Sequence, residues 1–351
     1  MLALTLALTL GDFFMQSRTI IADVAREAGV SMMTVSRVIN NKEGVSQETR
    51  QAVEEVIRKL DYHPNNFARG LATQRTGTLG FVVPDISNPF FSGVARGVEK
   101  AASAEGYSIL VCNTEEDPLR ELDVLELLLE KWVDGLVLCS SRLEQQKLQS
   151  VLAQYPAAVL VNRQLESVNA PLSVGCALIN DQAGGLMATK HLIKSGHNVI
   201  GFLSGPTVSY SSRWREEGYR QALMDAGLPH GPEIVLPCAP TVEGGQKAAA
   251  QLLAAHPEIT ALFCFNDLVA VGAIQACNES GRAIPDDLAI VGYDDTILAS
   301  LVTPPLTTCR VAREELGRLA MGLLLERLGG CTEGCDKSIL EPELIVRASA
   351  P

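Results

Sequence analysis

The sequence predicts an α/β protein in two parts: a small all-α amino-terminal segment built on a helix-turn-helix with a short helix-capable linker after it, then a two-lobed body of parallel sheets. Three observations carry this. Residues 19–40 have the spacing of two short helices joined by a tight turn. Beyond Gly77, short apolar runs alternate with helical stretches, the pattern of strands covered on both faces. The chain has 351 residues, 47% hydrophobic and 20% charged, enough for two or three domains with at least one large core. That composition excludes a disordered chain, a miniature scaffold and a polytopic membrane protein.

Residues 1–10, an apolar run of Met, Leu, Ala and Thr, resemble the core of an export signal. No Lys or Arg precedes them and no small-x-small cleavage site follows. The run also falls short of the roughly 20 residues a spanning helix needs. Translation is expected to begin near Met15, leaving residues 1–17 as a non-native extension or disordered tail; a weak export signal is the alternative. The nine cysteines, from Cys112 to Cys335, are scattered and several lie inside apolar runs, so they are expected to be reduced thiols in the cytoplasm. Cys331 and Cys335 have no His neighbours, and no metal or other cofactor is expected.

The first folded element is a helix-turn-helix domain at 18–63. Two crossing helices need a small residue at the crossing, a residue tolerating positive φ in the turn, and apolar inner faces. Ala25, Gly29 and Val35 stand at those places, with Val24, Ala28, Val30 and Val38 completing the inner side. Ser31 is the expected N-cap of the second helix, which leaves Met32, Met33, Thr34, Ser36 and Arg37 on or near its exposed side. A recognition helix presents its first residues to the major groove; the hydroxyls and Arg37 can reach phosphates or bases, and the methionines offer apolar contact. The bland alternative is a helical hairpin whose methionines are incidental. Ser46 caps a third helix, whose Val53, Val56, Ile57 and Leu60 form one apolar stripe.

After Pro64 the run Asn65 to Ala72 leads through a linker, 64–77, to the body. From the helix-turn-helix through this run, the chain resembles the headpiece and hinge of the LacI/GalR family of bacterial transcription regulators. The resemblance implies a hinge helix that forms on operator DNA and pairs with its dimer mate in the minor groove, with Leu71 as a wedge that unstacks a base step. An inert linker with a chance leucine is the alternative. The candidate DNA-contacting residues are therefore Thr19, Ser31, Met32, Met33, Thr34, Ser36, Arg37, Asn40, Asn65, Ala68, Arg69 and Leu71. The formal charge of −12 weighs against a DNA partner only when taken whole: residues 18–76 are net +2 and the remainder net −14.

In the body, 78–351, strands are expected at Leu79–Val83, Ile109–Cys112, Leu136–Cys139 and Val159–Val161, then at Val199–Leu203, Ala261–Phe265 and Ala289–Gly292. The expected lobes are 78–176 with 308–330, and 177–304 with 336–351. Ligands gather at the carboxyl ends of such strands, where Asp85, Asn88, Phe90, Phe91, Asn113, Asn162, Arg163, Gln164, Arg213, Asn266, Asp267, Asp294 and Asp295 stand. Singly each is weak, because Asn and Asp after a strand often only cap the next helix. Their accumulation at one edge of both lobes favours a cleft.

This part resembles the family's effector domain, which shares its fold with periplasmic sugar-binding proteins. Local strings such as Leu-Val-Cys-Asn-Thr-Glu (110–115) and Ile-Val-Gly-Tyr-Asp-Asp (290–295) look closest to ribose repressors. By resemblance Asn88, Phe90 and Phe91 supply one side of a sugar site, Arg163 and Arg213 its clamps, and Asn266 and Asp294 the other lobe's acceptors. Asn162 replaces the usual Asp, Pro240 a ring-closing aromatic and Val311 a Gln, while Trp214 can restore stacking. The expected partners are double-stranded operator DNA, a small-molecule effector that is a sugar (a pentose such as ribose), and a second copy in a homodimer, since no leucine-heptad segment follows Pro351; no membrane is expected. An enzyme is opposed by the five histidines, which match no nucleophile or metal motif. An exported sugar-binding protein of a transport system, the other alternative, is opposed by the headpiece.

Overall fold

The computed structural model describes residues 19–62, 75–165, 174–331 and 337–351. It divides into two compact units, residues 1–76 and 77–351. The expected tail at 1–17 and hinge helix, with Asn65, Ala68, Arg69 and Leu71, lie outside the described residues.

Among the described residues the first unit holds three helices, α1 (Ile21–Glu27), α2 (Met32–Ile39) and α3 (Gln47–Lys59). Their core is Val24, Ala25, Val35, Val38, Val53 and Tyr62. Gly29 supplies the left-handed turn between α1 and α2 at φ +65°. Ser31 and Ser46 cap α2 and α3 by accepting from the backbone N–H of Thr34 and Thr49, at 3.1 and 3.2 Å. Arg50 reaches back from α3 to the Val38 and Lys42 carbonyls and to Asn41 Oδ1, fixing the loop after α2.

The body contains two six-stranded sheets. The first runs β1 (Thr78–Val83), β2 (Ser108–Asn113), β3 (Gly135–Cys139), β4 (Ala158–Val161), β5 (Val174–Ile179) and β11 (Lys337–Leu340), in the spatial order β11-β5-β4-β3-β1-β2. The second holds β6 (Ile200–Ser204), β7 (Val235–Pro237), β8 (Ala261–Cys264), β9 (Ala289–Asp294), β10 (Thr307–Arg310) and β12 (Glu343–Ile345), ordered β12-β10-β9-β8-β6-β7. All pairings are parallel except β10 with β12. The first sheet lies between α4 (Pro89–Ala104) with α12 (Arg313–Leu328) and α5 (Pro118–Glu130) with α6 (Gln145–Leu152). The second lies between α7 (Asp181–Lys194) with α8 (Tyr210–Asp225) and α9 (Val242–Ala255) with α10 (Asp267–Ser280); a short α11 (Ile297–Leu301) follows β9.

The lobe boundaries differ from those expected. β5 lies wholly in the first sheet to Ile179, β10 in the second, and β11, expected in the second lobe, pairs with β5 in the first. The chain crosses between lobes near 180, 311–312 and 341–342, where it carries no Gly.

Candidate DNA interface and ligand cleft

On the first unit, Met32 and Met33 are 56% and 67% exposed at the start of α2. Large apolar side chains are kept at the surface here by helix phase: Val35 and Val38 take the buried positions. Several neighbouring polar groups also have work within the fold. Ser31 Oγ lies 2.9 Å from Thr34 Oγ1, Asn40 Nδ2 donates to the Ser36 carbonyl at 2.8 Å, and Thr19 Oγ1 donates to the Leu60 carbonyl at 3.1 Å. Lys59 pairs with Glu27 and Arg26 with Asp23, whereas Arg37 and Lys42 make no ion pair among the described residues. Charge without an ion pair thus sits on and just after α2, and also at Arg50 and Arg58 of α3, which donate to uncharged oxygens.

Between the lobes of the body lies a cavity lined by Asn88, Phe90 and Phe91 from the first lobe, with Asn162 after β4, and by Arg215, Phe265, Asn266 and Asp294 from the second. Its volume is about 30 Å³, above the roughly 10–15 Å³ that a single water needs. Asn88 and Asn266 are indeed N-caps, accepting from Phe90 and Val269 N–H at 2.9 Å each. Capping engages Oδ1, and neither Nδ2 has a hydrogen bond among the described residues. Asn162 Oδ1 is buried without a hydrogen-bond donor. Phe90 and Phe91 meet edge to face at 5.2 Å.

Arg215 is the centre of the second lobe's share. Its Nε donates to Asp181 at 2.8 Å, Nη1 donates to the Phe265 carbonyl at 2.6 Å, and Nη2 stands 3.8 Å from Asp294. The guanidinium lies over the Tyr293 ring at 3.6 Å. Burial opposes its charge, but Asp181 and Asp294 more than offset this and hold it firmly protonated. Burial pushes Asp294 well above the usual carboxylate range against the pull of Arg215. It also raises Asp267 to about 6, opposed by hydrogen bonds from Thr308 Oγ1 and Thr296 N–H.

Three of the expected ligand residues are not in this cavity. Arg163, Arg213 and Trp214 line a separate groove with Glu144, Gln145 and Tyr210. Arg215 rather than Arg213 lines this cavity, because α8 turns position 215 onto the buried stripe with Tyr219, Ala222 and Leu223 and position 213 away from it. That stripe was readable in the sequence. Glu116, paired with Arg142, and Ser140, Ser209 and Ser211 also line the cavity and carry no comparable pattern. Pro240 does line it; Val311 does not.

Of the described cysteines, Cys331 alone is exposed. Among the described residues no cluster of His, Cys, Asp or Glu is arranged to hold a metal, and no helix is long and apolar enough to cross a membrane.

Comparison with known proteins gives two family matches, "Bacterial regulatory proteins, lacI family" over residues 20–65 and "Periplasmic binding proteins and sugar binding domain of LacI family" over residues 76–345. The ribose operon repressor of Escherichia coli (strain K12) is 40% identical over 332 residues, covering 93% of this chain and 98% of that protein. The HTH-type transcriptional regulator DegA of Bacillus subtilis (strain 168) is 36% identical over 332 residues, covering 95% and 98%. Among solved structures, a lac repressor dimer bound to operator and the anti-inducer ONPF superposes with a TM-score of 0.84 at 27% identity, covering 95% of this chain and 99% of that one.

Proposed function

The chain belongs to the LacI family of bacterial regulatory proteins, and from that premise we propose that it binds a pseudo-palindromic operator as a homodimer under the control of a sugar held between its lobes. A family member is a DNA-binding transcriptional regulator with a ligand-binding domain, not an enzyme. In our reading this one is a repressor acting in the cytoplasm, where its operator lies. Twofold symmetry gives two copies of α2 to two half-sites. Met32, Met33, Thr34, Ser36 and Arg37 contact the major groove, with Ser31, Thr19 and Asn40 beside them; Asn65, Ala68, Arg69 and Leu71 enter the minor groove.

The observation that carries effector control is the composition of the cleft. Asn88, Phe90, Phe91 and Asn162 come from one lobe, and Arg215, Asn266 and Asp294 from the other, so a bound ligand bridges both. Asn and Asp suit sugar hydroxyls, and the Phe rings suit an apolar sugar face. The space of about 30 Å³ is far below the roughly 300 Å³ at which small-ligand sites begin. Binding therefore requires the lobes to part and close again, and a ligand that prefers one arrangement shifts the population toward it. Ribose-like pentoses are favoured by the local strings at 110–115 and 290–295.

The test is to select the preferred site from random DNA with the full chain and then titrate that complex with pentoses, hexoses, their phosphates and purines. Enrichment of a palindrome and a change in operator affinity with one sugar are expected. Absence of any enriched site sinks the regulator reading; an unchanged response in Asp294→Ala sinks the cleft.

A further inference from the structure

At the mouth of the cleft lies a space of about 880 Å³ whose chemistry differs from that of the inner cavity. Its two cations come from opposite lobes, Arg163 just after β4 and Arg213 in the first turn of α8. Both guanidinium carbons approach one aromatic ring, that of Tyr210, at 5.7 and 5.8 Å. Neither arginine has a carboxylate within ion-pair distance among the described residues; Glu144 and Glu217 stand on the exposed rim. Arg163 is 7% exposed. Its Nη2 donates to the Leu143 carbonyl at 3.3 Å, but its Nε is buried with no acceptor, and so is Nε2 of neighbouring Gln145.

Buried N–H groups without acceptors are costly, and two like charges facing one another add to the cost. A neutral hydroxyl can accept from one such donor but does nothing for the repulsion. An anionic group does both. We propose that this outer groove binds the anionic end of the effector, which is therefore a phosphorylated or carboxylated sugar whose hydroxyls occupy the inner cavity. The proposal rests on the ligand-binding reading of the cleft. Chain geometry supports one molecule spanning both spaces: Asn162 lines the inner cavity and Arg163 the groove, while Ser209 and Ser211 line the cavity and Tyr210 between them the groove. Because each lobe contributes one arginine, the anion is also a link between lobes. It favours the arrangement in which both arginines reach it, which is the differential affinity that control requires.

The experiment uses the full chain carrying Trp132→Phe, which leaves Trp214, in the groove wall, as the single indole of the two in the sequence. Inorganic phosphate is titrated first, followed by ribose 5-phosphate against ribose, glucose 6-phosphate against glucose, and gluconate for the carboxylate arm. Trp214 emission is expected to change saturably with phosphate. At least one charged sugar should bind about ten-fold or more tighter than its neutral counterpart, and the stronger arm identifies phosphate or carboxylate. In Arg213→Gln, whose side chain is exposed and whose fold is safe, that ratio should fall to within about two-fold; Arg163→Gln should do the same. An emission unresponsive to phosphate, a ratio near one in the parent, or a preference that survives Arg213→Gln overturns the proposal. Failure of the underlying reading looks different: phosphate binds and Arg213→Gln abolishes it, yet no sugar, charged or neutral, alters operator affinity.

Discussion

Arg215 holds three demands at once: it neutralises Asp181, faces Asp294 and covers the Tyr293 ring. Arg215→Leu leaves two buried carboxylates without their cation and should cost about 3–5 kcal/mol, whereas Arg213→Gln, two residues away on the solvent side, should stay within about 0.5 kcal/mol. Urea unfolding of the two variants measures the contrast. Asp267 makes a second prediction, about pH. Its folded-state pKa of about 6 exceeds the ordinary 3.8, so between these values the folded form binds the proton more readily than the unfolded chain. Its contribution to stability is fully present below pH 4 and is lost as pH rises through 6. Relative to wild type, Asp267→Asn should therefore gain stability from pH 4 to 6 and level off above; a constant difference across that range counts against the assignment. The backbone is specialised here too, with Ser140, Asn162 and Asp294 at φ +48°, +53° and +105° at the ends of β3, β4 and β9. Asn88, Phe90, Phe91, Asn162, Asn266 and Asp294 were legible because polar residues closing an apolar strand stand out by position. Arg215 was not, because a charged residue within a helix reads as surface until the phase of its apolar neighbours is followed.

Three of the four helix pairs that cover the sheets close on facing glycines. A Cβ on Gly97 of α4 would lie 2.0 Å from the Glu314 carbonyl oxygen of α12, and one on Gly317 of α12 would lie 2.2 Å from that of Val94. Gly185 and Gly218 do the same for α7 and α8, against Arg215 and Gln182, and Gly245 and Gly272 for α9 and α10, against Val269 and Val242. The obstacles are backbone atoms, which cannot rotate aside. Gly218→Ala should thus force α7 and α8 apart and destabilise by about 1–3 kcal/mol or more. Because Arg215 rides on α8, the same variant should weaken the effector response; an unaltered melting temperature and response would show that the helices yield freely. The Gly-Gly pairs at 184–185 and 244–245 lie inside α7 and α9. Most long apolar strands were legible from their runs of Val, Leu and Ile, but β5, Val-Gly-Cys-Ala-Leu-Ile, was not among those expected. The edge strands β7, β11 and β12 were not, since three or four half-exposed residues carry no pattern, and β10, Thr-Thr-Cys-Arg, is buried by its neighbours rather than by its own hydrophobicity.

For the whole molecule, the proposed function separates what binds DNA from what is regulated, and the two can be told apart by variant class. Each phosphate contact contributes about 0.9 to the slope of log affinity against log salt. If Arg37 contacts a phosphate, Arg37→Gln in a dimer should lower the slope by about 2; if it reads a base, the slope should hold while sequence preference relaxes. Effector coupling obeys a stricter rule. When the effector changes operator affinity by some factor, the operator must change effector affinity by that same factor, because both ratios close one thermodynamic cycle. Ser31→Ala removes the cap of α2 and should cost the headpiece about 1 kcal/mol. That penalty falls on operator binding in every state of the body, so it should lower affinity with and without effector equally and leave the coupling factor intact. Asp294→Ala acts on the lobes instead and should shrink the factor measured from either side together. Fluorescence titration of effector in the presence and absence of operator, set beside operator titration in the presence and absence of effector, yields both ratios. A Ser31→Ala protein whose coupling factor falls as far as that of Asp294→Ala would mean that α2 belongs to the regulated element, and the division of labour proposed for the two parts would have to be redrawn.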